Sequence, residues 1–153
     1  MKLSGSHTLK ANRKVIWGML MDPDQLVIIT PGISELIKID ETNYEAISEV
    51  KIGPVKGKFK GGLALEEMIE HESFILVVEQ KSKIGNVKAD IKINLTVVEN
   101  GECAIDFDGD AHMSGLLART GQRVVSGVAN SLTKQFFKAF EAEIEALQGT
   151  KSN

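Results

Sequence analysis

Between positions 33 and 113 the chain alternates apolar and polar side chains at every second residue, and over 116–147 the period lengthens to three and four. A period of two gives a strand one apolar face, and the longer period draws one apolar stripe down a helix. The helical stripe runs through Leu117, Val124, Val125, Val128, Leu132, Phe136, Phe140, Ile144 and Leu147, uninterrupted by proline. The spacing predicts one long C-terminal helix laid across an antiparallel sheet, since neither element can bury its apolar face alone.

The strands are separable. Residues 2–10 place Leu3, Gly5, His7 and Leu9 opposite Lys2, Ser4, Ser6 and Thr8, an edge-compatible first strand. Asn12 then offers an N-cap for a helix over 13–21, and Asp22-Pro23 ends that helix and opens a shorter one reaching about Ile29. Six further strands follow at 33–39, 44–52, 55–66, 74–80, 87–98 and 102–113, making seven. Only Gly53-Pro54 separates the third from the fourth, so a tight hairpin sets the register: Val50 faces Gly57, Ser48 faces Phe59, and Ala46 faces Gly61. On the outer side Glu49 meets Lys58, an expected cross-strand ion pair.

Length and charge narrow the function. At 153 residues the chain is one domain, 1–153, with enough bulk for a real core. Net charge is −3 with acids and bases interspersed along the sequence, which argues against a basic field for nucleic acid or anionic lipid. Cys103 is the only cysteine, no signal-like apolar run opens the chain, and no stretch approaches the 18 or so apolar residues of a membrane span. A cytoplasmic protein without a transmembrane segment is expected.

Motifs with chemical promise fail in detail. The Gly- and Lys-rich run 53–62 lacks phosphate-loop spacing and leads into a strand, leaving Lys56, Lys58 and Lys60 on a solvated face. Asp106, Asp108 and Asp110 alternate like calcium ligands, yet Ala111 and Leu117 stand where the loop needs Gly and Glu. His7, His71 and His112 show no chelating spacing, Asn94-Leu95-Thr96 lies mid-strand, and no Ser or Cys sits in a nucleophile elbow. No metal, cofactor or catalytic set is expected.

The inward faces carry more information. Gly5, Ala46, Ser48, Gly57, Gly61, Ala89, Gly109 and Ala111 occupy inward positions that a solid core would fill with Val, Ile or Leu. Either the helix approaches closely or the interior is hollow. A sealed dry void of about 300 Å³ would cost about 7 kcal/mol, so a hollow must admit water or an apolar guest. Because the small residues are spread over five strands, a hollow is the favoured expectation.

The order strand, two short helices, six strands and long helix resembles the helix-grip group of START-like and Bet v 1-like proteins, an α+β fold whose sheet curves around a C-terminal helix. More specifically, the chain resembles the CoxG family, named for one of the carbon monoxide dehydrogenase subunits. The resemblance rests on Asp22-Pro23 and Pro31-Gly32, on Gly53-Pro54-Val55-Lys56-Gly57 with Phe59 and Gly61, and on Gly115, Leu117, Ala118, Gly121 and Arg123 leading to Phe136-Phe137. It implies a non-catalytic accessory protein to a molybdenum-containing carbon monoxide dehydrogenase or a relative, holding a lipid or isoprenoid quinone. Many members carry a further C-terminal extension suited to reaching a membrane or partner, and this chain is expected to lack it, which leaves peripheral membrane contact open.

The expected ligand-contacting residues are Trp17, Leu20, Phe59, Gly61, Leu63, Ile91, Ile93, Phe107, Met113, Leu117, Gly121, Val125, Val128 and Leu132. The first half of the long helix is assigned to ligand contact, its second half, around Phe136 and Phe140, to stability. Two alternatives stand beside this reading. One is a surface-acting assembly or adaptor protein using the Lys56, Lys58 and Lys60 face; the other is a cyclase- or hydrolase-type enzyme built on an inward polar cluster of His7, Ser48 and Tyr44.

Overall fold

The computed structural model describes the backbone of residues 1–152 and the side chains as far as Gln148. Strand β1 (Lys2–Leu9) leads into α1 (Arg13–Leu20) and α2 (Pro23–Ile29), then β2 (Ile33–Lys38), β3 (Asn43–Ile52), β4 (Val55–Ile69), β5 (Ser73–Lys81), β6 (Val87–Val97) and β7 (Cys103–Met113). Helices α3 (Gly115–Thr120) and α4 (Gln122–Ser152) close the chain. The seven strands form one antiparallel sheet in the order β1-β7-β6-β5-β4-β3-β2.

Local chemistry places these boundaries. The Asn12 side chain accepts from the Val15 N–H at 2.9 Å, and Asp22 accepts from the Asp24 N–H at 3.0 Å with Pro23 in the first turn, so both short helices start on side-chain caps. The β3–β4 register is the expected one, with Val50 opposite Gly57, Ser48 opposite Phe59 and Ala46 opposite Gly61. Glu49 does face Lys58, but its carboxylate pairs with Lys51 at 2.8 Å instead. Strand β4 runs on to Ile69 through a register shift after Glu66, where Glu67 takes φ 47°.

The C-terminal helix is not continuous. Gly121, with φ 104° and ψ 142°, separates α3 from α4 in a backbone region closed to residues with a Cβ. Periodicity alone merges the two helices because the apolar phase carries across the break. Helix α3 is pinned to the β5–β6 connection, its Leu117 N–H donating to the Ile84 carbonyl at 2.8 Å and the Ser114 N–H to the Asn86 carbonyl at 3.0 Å.

Two apolar cores result. The larger gathers Leu9, Ile16, Trp17, Ile29, Phe74, Leu95, Cys103 and Ile105 around Phe137, Phe140 and Ile144 of α4. A smaller one at the opposite end joins Val55, Phe59, Leu117 and Val128, with Val50, Ile52, Ile84, Val87, Met113, Val124 and Leu132 packed on it. Helix α4 starts in the small core and finishes in the large one. Both halves of α4 are therefore packed, and in the second Phe140 is fully buried and edge-on to Phe136 at 5.7 Å between ring centres.

Four of the eight small inward residues have a different explanation from a hollow. A Cβ on Gly61 would lie 2.0 Å from the Glu79 carbonyl oxygen, and one on Gly109 would lie 2.2 Å from that of Asp90. Both glycines let adjacent strands coil tightly, as a strongly curved sheet requires. The Phe107 ring covers Gly5 and Ile84 covers Gly57. Only Ala46, Ala89, Ala111 and the half-buried Ser48 remain as unexplained small groups on the inner face.

Candidate ligand chamber

The fourteen expected contact residues fall into four groups. Trp17, Leu20, Ile93 and Phe107 belong to the large core, where Trp17 meets Phe74 edge-on at 5.7 Å and Phe107 stacks on Phe137 at 6.2 Å. Phe59, Met113, Leu117, Val128 and Leu132 belong to the small core. Leu63 of β4, Ile91 of β6 and Val125 of α4 join neither and stay half-buried. Gly61 faces the Glu79 carbonyl and Gly121 sits at the helix break with open space around it, so neither is positioned by its side as a chamber wall.

Part of the inner sheet face belongs to neither core. Leu63, Val78 and Ile91 lie side by side on the inner face of three adjacent strands: Val78 is the register partner of Leu63, and Ile91 faces Leu76 one inward step along. All three retain accessible surface although a central strand under a helix ordinarily loses it. Buried Ala46, Ala89 and Ala111 hold the same stretch of sheet low.

Sequence reasoning missed Val78, Gln80 and Ile84. Gln80 continues the inward phase Phe74, Leu76, Val78, and that phase was the available signal. It is 9% exposed, donates weakly from Nε2 to the Gly62 carbonyl at 3.4 Å, and leaves Oε1 buried without a partner. A buried acceptor without a donor is an uncompensated cost of about 1 to 3 kcal/mol.

The polar cluster expected from His7, Ser48 and Tyr44 does not assemble. His7, on β1, hydrogen-bonds Glu141 of α4 and stacks on Phe137 at 4.5 Å. Ser48 and Tyr44 are on β3, across four intervening strands. Among the described residues no three His, Cys, Asp or Glu side chains converge as metal ligands. Asp106 accepts instead from Ser6 at 2.6 Å and Thr96 at 2.9 Å, tying β1, β7 and β6 together. The buried Cys103 has its thiol pKa raised, chiefly by loss of hydration.

Charge is not interspersed in space, contrary to the expectation from sequence. The antiparallel turns bring 49–60, 79–90 and 110–123 to the small-core end, and these segments hold nine of the 18 Lys and Arg but four of the 21 Asp and Glu. No helix among the described residues is long and apolar enough to cross a membrane.

A seven-stranded antiparallel sheet gripping a C-terminal helix, with two short helices after the first strand, defines a START-like protein. The fold is shared with a START superfamily protein from Mycobacterium smegmatis (TM-score 0.73, 15% identity, 95% of this chain and 98% of that one). It is shared too with the Zhui aromatase/cyclase from Streptomyces sp. R1128 (TM-score 0.72, 10% identity, 95% and 93%). At such identities the likeness is one of fold.

The family follows from closer matches. The family model for CoxG, one of the carbon monoxide dehydrogenase subunits, matches residues 5–145, and the chain belongs to that family. A conserved protein from Geobacillus kaustophilus is 30% identical over 95% of this chain and 96% of its own, with a TM-score of 0.91. Comparison with curated proteins finds no match.

Proposed function

We propose that this protein is a non-catalytic cytoplasmic carrier that holds a lipid or isoprenoid quinone between its sheet and α4, in the service of a molybdenum-type carbon monoxide dehydrogenase or a relative. One observation carries the reading: Leu63, Val78, Ile91 and Val125 are apolar and half-buried, and they belong to neither packed core. A guest lying there covers their remaining surface at about 25 cal/mol per Å² and gains about 0.8 kcal/mol for each of its own methylenes, before ordering costs. Affinity should therefore climb with tail length. The membership of the family supports the choice of partner enzyme.

The test is direct. Protein purified without detergent is extracted, and the extract is analysed by mass spectrometry for lipid and quinone; uptake of a fluorescent fatty-acyl probe is titrated in parallel. Phe59→Glu puts a carboxylate in the small core beside the chamber and should abolish uptake. A folded Phe59→Glu protein that takes up the probe as well as the parent refutes the placement. Pull-down of dehydrogenase subunits by the parent tests the partnership.

A further inference from the structure

Gln80 stands next to the inner sheet face that belongs to neither core. In register it faces Gly61 of β4 and Val87 of β6, and Val87 packs on the small core. One inward step back along β5 is Val78, whose own register partners are Leu63 and Ala89. Each of these neighbours is apolar or lacks a side chain, so none offers Gln80 a donor. The backbone N–H groups of central strands are already spent on the ladders that join them.

The single partner of the amide fixes its orientation. A carbonyl oxygen only accepts, so the Gly62 oxygen, 3.4 Å away, takes the Nε2 side, and a flipped amide would set two acceptors against each other. Gly61, directly opposite, has no side chain to block that reach. Oε1 is then the free end, and among the described residues it is buried with no hydrogen-bond partner. A valine or leucine here would continue the apolar phase of Phe74, Leu76 and Val78 and leave nothing unpaired. Packing therefore does not account for the glutamine.

We infer that Gln80 reads the head of the guest, and that this head is a neutral hydroxyl whose O–H donates to Oε1. The inference rests on the carrier reading and narrows its ligand. The amide hangs on one long hydrogen bond, so a donor arriving beside Val78 turns it at little cost. A hydroxyl then suits both ends of the amide, donating to Oε1 and accepting from Nε2. An ether or a ketone only accepts and leaves Oε1 unpaired, and an ionised carboxylate adds a charge that is costly to bury. A long-chain alcohol and a hydroquinone share the required chemistry. Of a quinone couple, the reduced form, with its two hydroxyls, is the better guest.

Competition against the fluorescent fatty-acyl probe tests this on the full chain. One pair of competitors is hexadecanol and methyl pentadecyl ether, equal in heavy atoms and differing in the O–H. The other is a decyl-substituted benzohydroquinone and its benzoquinone, compared without oxygen. The hydroxyl member of each pair should bind about tenfold tighter. A preference confined to one pair supports the inference and names the source of the hydroxyl. Gln80→Met keeps the length of the side chain and removes both polar atoms, so hexadecanol should fall about tenfold, to the level of the ether. General damage to the chamber lowers both members alike and leaves their ratio unmoved. Equal binding of both members of both pairs by the parent, as where a water serves Oε1, overturns the inference, as does a preference that survives in Gln80→Met. With probe uptake intact, either result leaves the carrier reading standing; a folded parent that takes up neither probe nor competitor ends both.

Discussion

Replacing Gly109 with alanine discriminates between two meanings of a small inward residue. If Gly109 lines a void, the added methyl finds room and the chain gains about 0.4 to 1 kcal/mol from a less flexible unfolded state. The structure predicts the opposite sign. The new Cβ would stand 2.2 Å from the Asp90 carbonyl oxygen and 2.7 Å from Ile91 Cα, while ordinary contact begins near 3.4 Å. Neighbouring β6 must therefore move by about 1 Å, and both obstacles are backbone, which cannot rotate away. Overpacking of this kind costs about 1 to 3 kcal/mol, so a net loss near 2 kcal/mol is expected. With a typical urea slope for a domain of this size, the unfolding midpoint should fall by about 1 M. Gly18 and Gly127 are helical, with nothing within 4 Å of a built Cβ, and alanine there should raise stability by about 0.5 to 1 kcal/mol each. A Gly109→Ala protein as stable as the parent, measured beside these two, would refute the account of the sheet's curvature.

Three further outcomes follow from single features. Phe140→Ala empties the centre of the large core and should cost about 3 to 5 kcal/mol in urea unfolding. Gly121→Ala should cost about 1 to 3 kcal/mol despite open space around it, because φ 104° and ψ 142° exclude an ordinary side chain; a gain like that at Gly127 would contradict the helix break. Burial holds the Cys103 thiol above its ordinary pKa of 9.0, so the folded state keeps a proton that the unfolded chain releases first. The associated stability is complete below pH 9 and is lost as pH rises beyond it; in Cys103→Ala the alkaline loss should be smaller, and alkylation of the parent should proceed only through unfolding.

Strand positions and register were legible because a period of two leaves no freedom: once Gly53-Pro54 closes the hairpin, Val50, Ser48 and Ala46 can face only Gly57, Phe59 and Gly61. Three things were hidden. The break at Gly121 is a backbone event inside an unbroken apolar phase. Gly61 and Gly109 look like void-lining residues until the path of the neighbouring strand is known, since their meaning lies in where a missing Cβ would point. The basic end arises from antiparallel topology, which brings together residues as far apart in sequence as Lys56 and Arg119 while their local neighbours alternate in sign. Of the fourteen expected contacts, Leu63 and Ile91 stand between small-core and large-core neighbours on their strands, Val125 lies outside both cores at the small-core end of α4, and the others are mostly invested in one core or the other.

That partition permits a decisive test of the chamber itself. Val125 is half-buried on α4, a turn after Gly121, and packs on neither core. In a close-packed interior Val125→Phe would force strain of about 1 to 3 kcal/mol. In a chamber open to water the larger ring instead buries new apolar surface, worth up to about 1 kcal/mol, and occupies space a guest needs. The expected result is a protein at least as stable as its parent with a reduced capacity for the fatty-acyl probe. Stability and uptake moving in opposite directions cannot come from general damage to the fold, which lowers both. A destabilised Val125→Phe protein with undiminished uptake per folded molecule would mean that the space between the cores is filled by the protein and that the guest, if held, lies elsewhere.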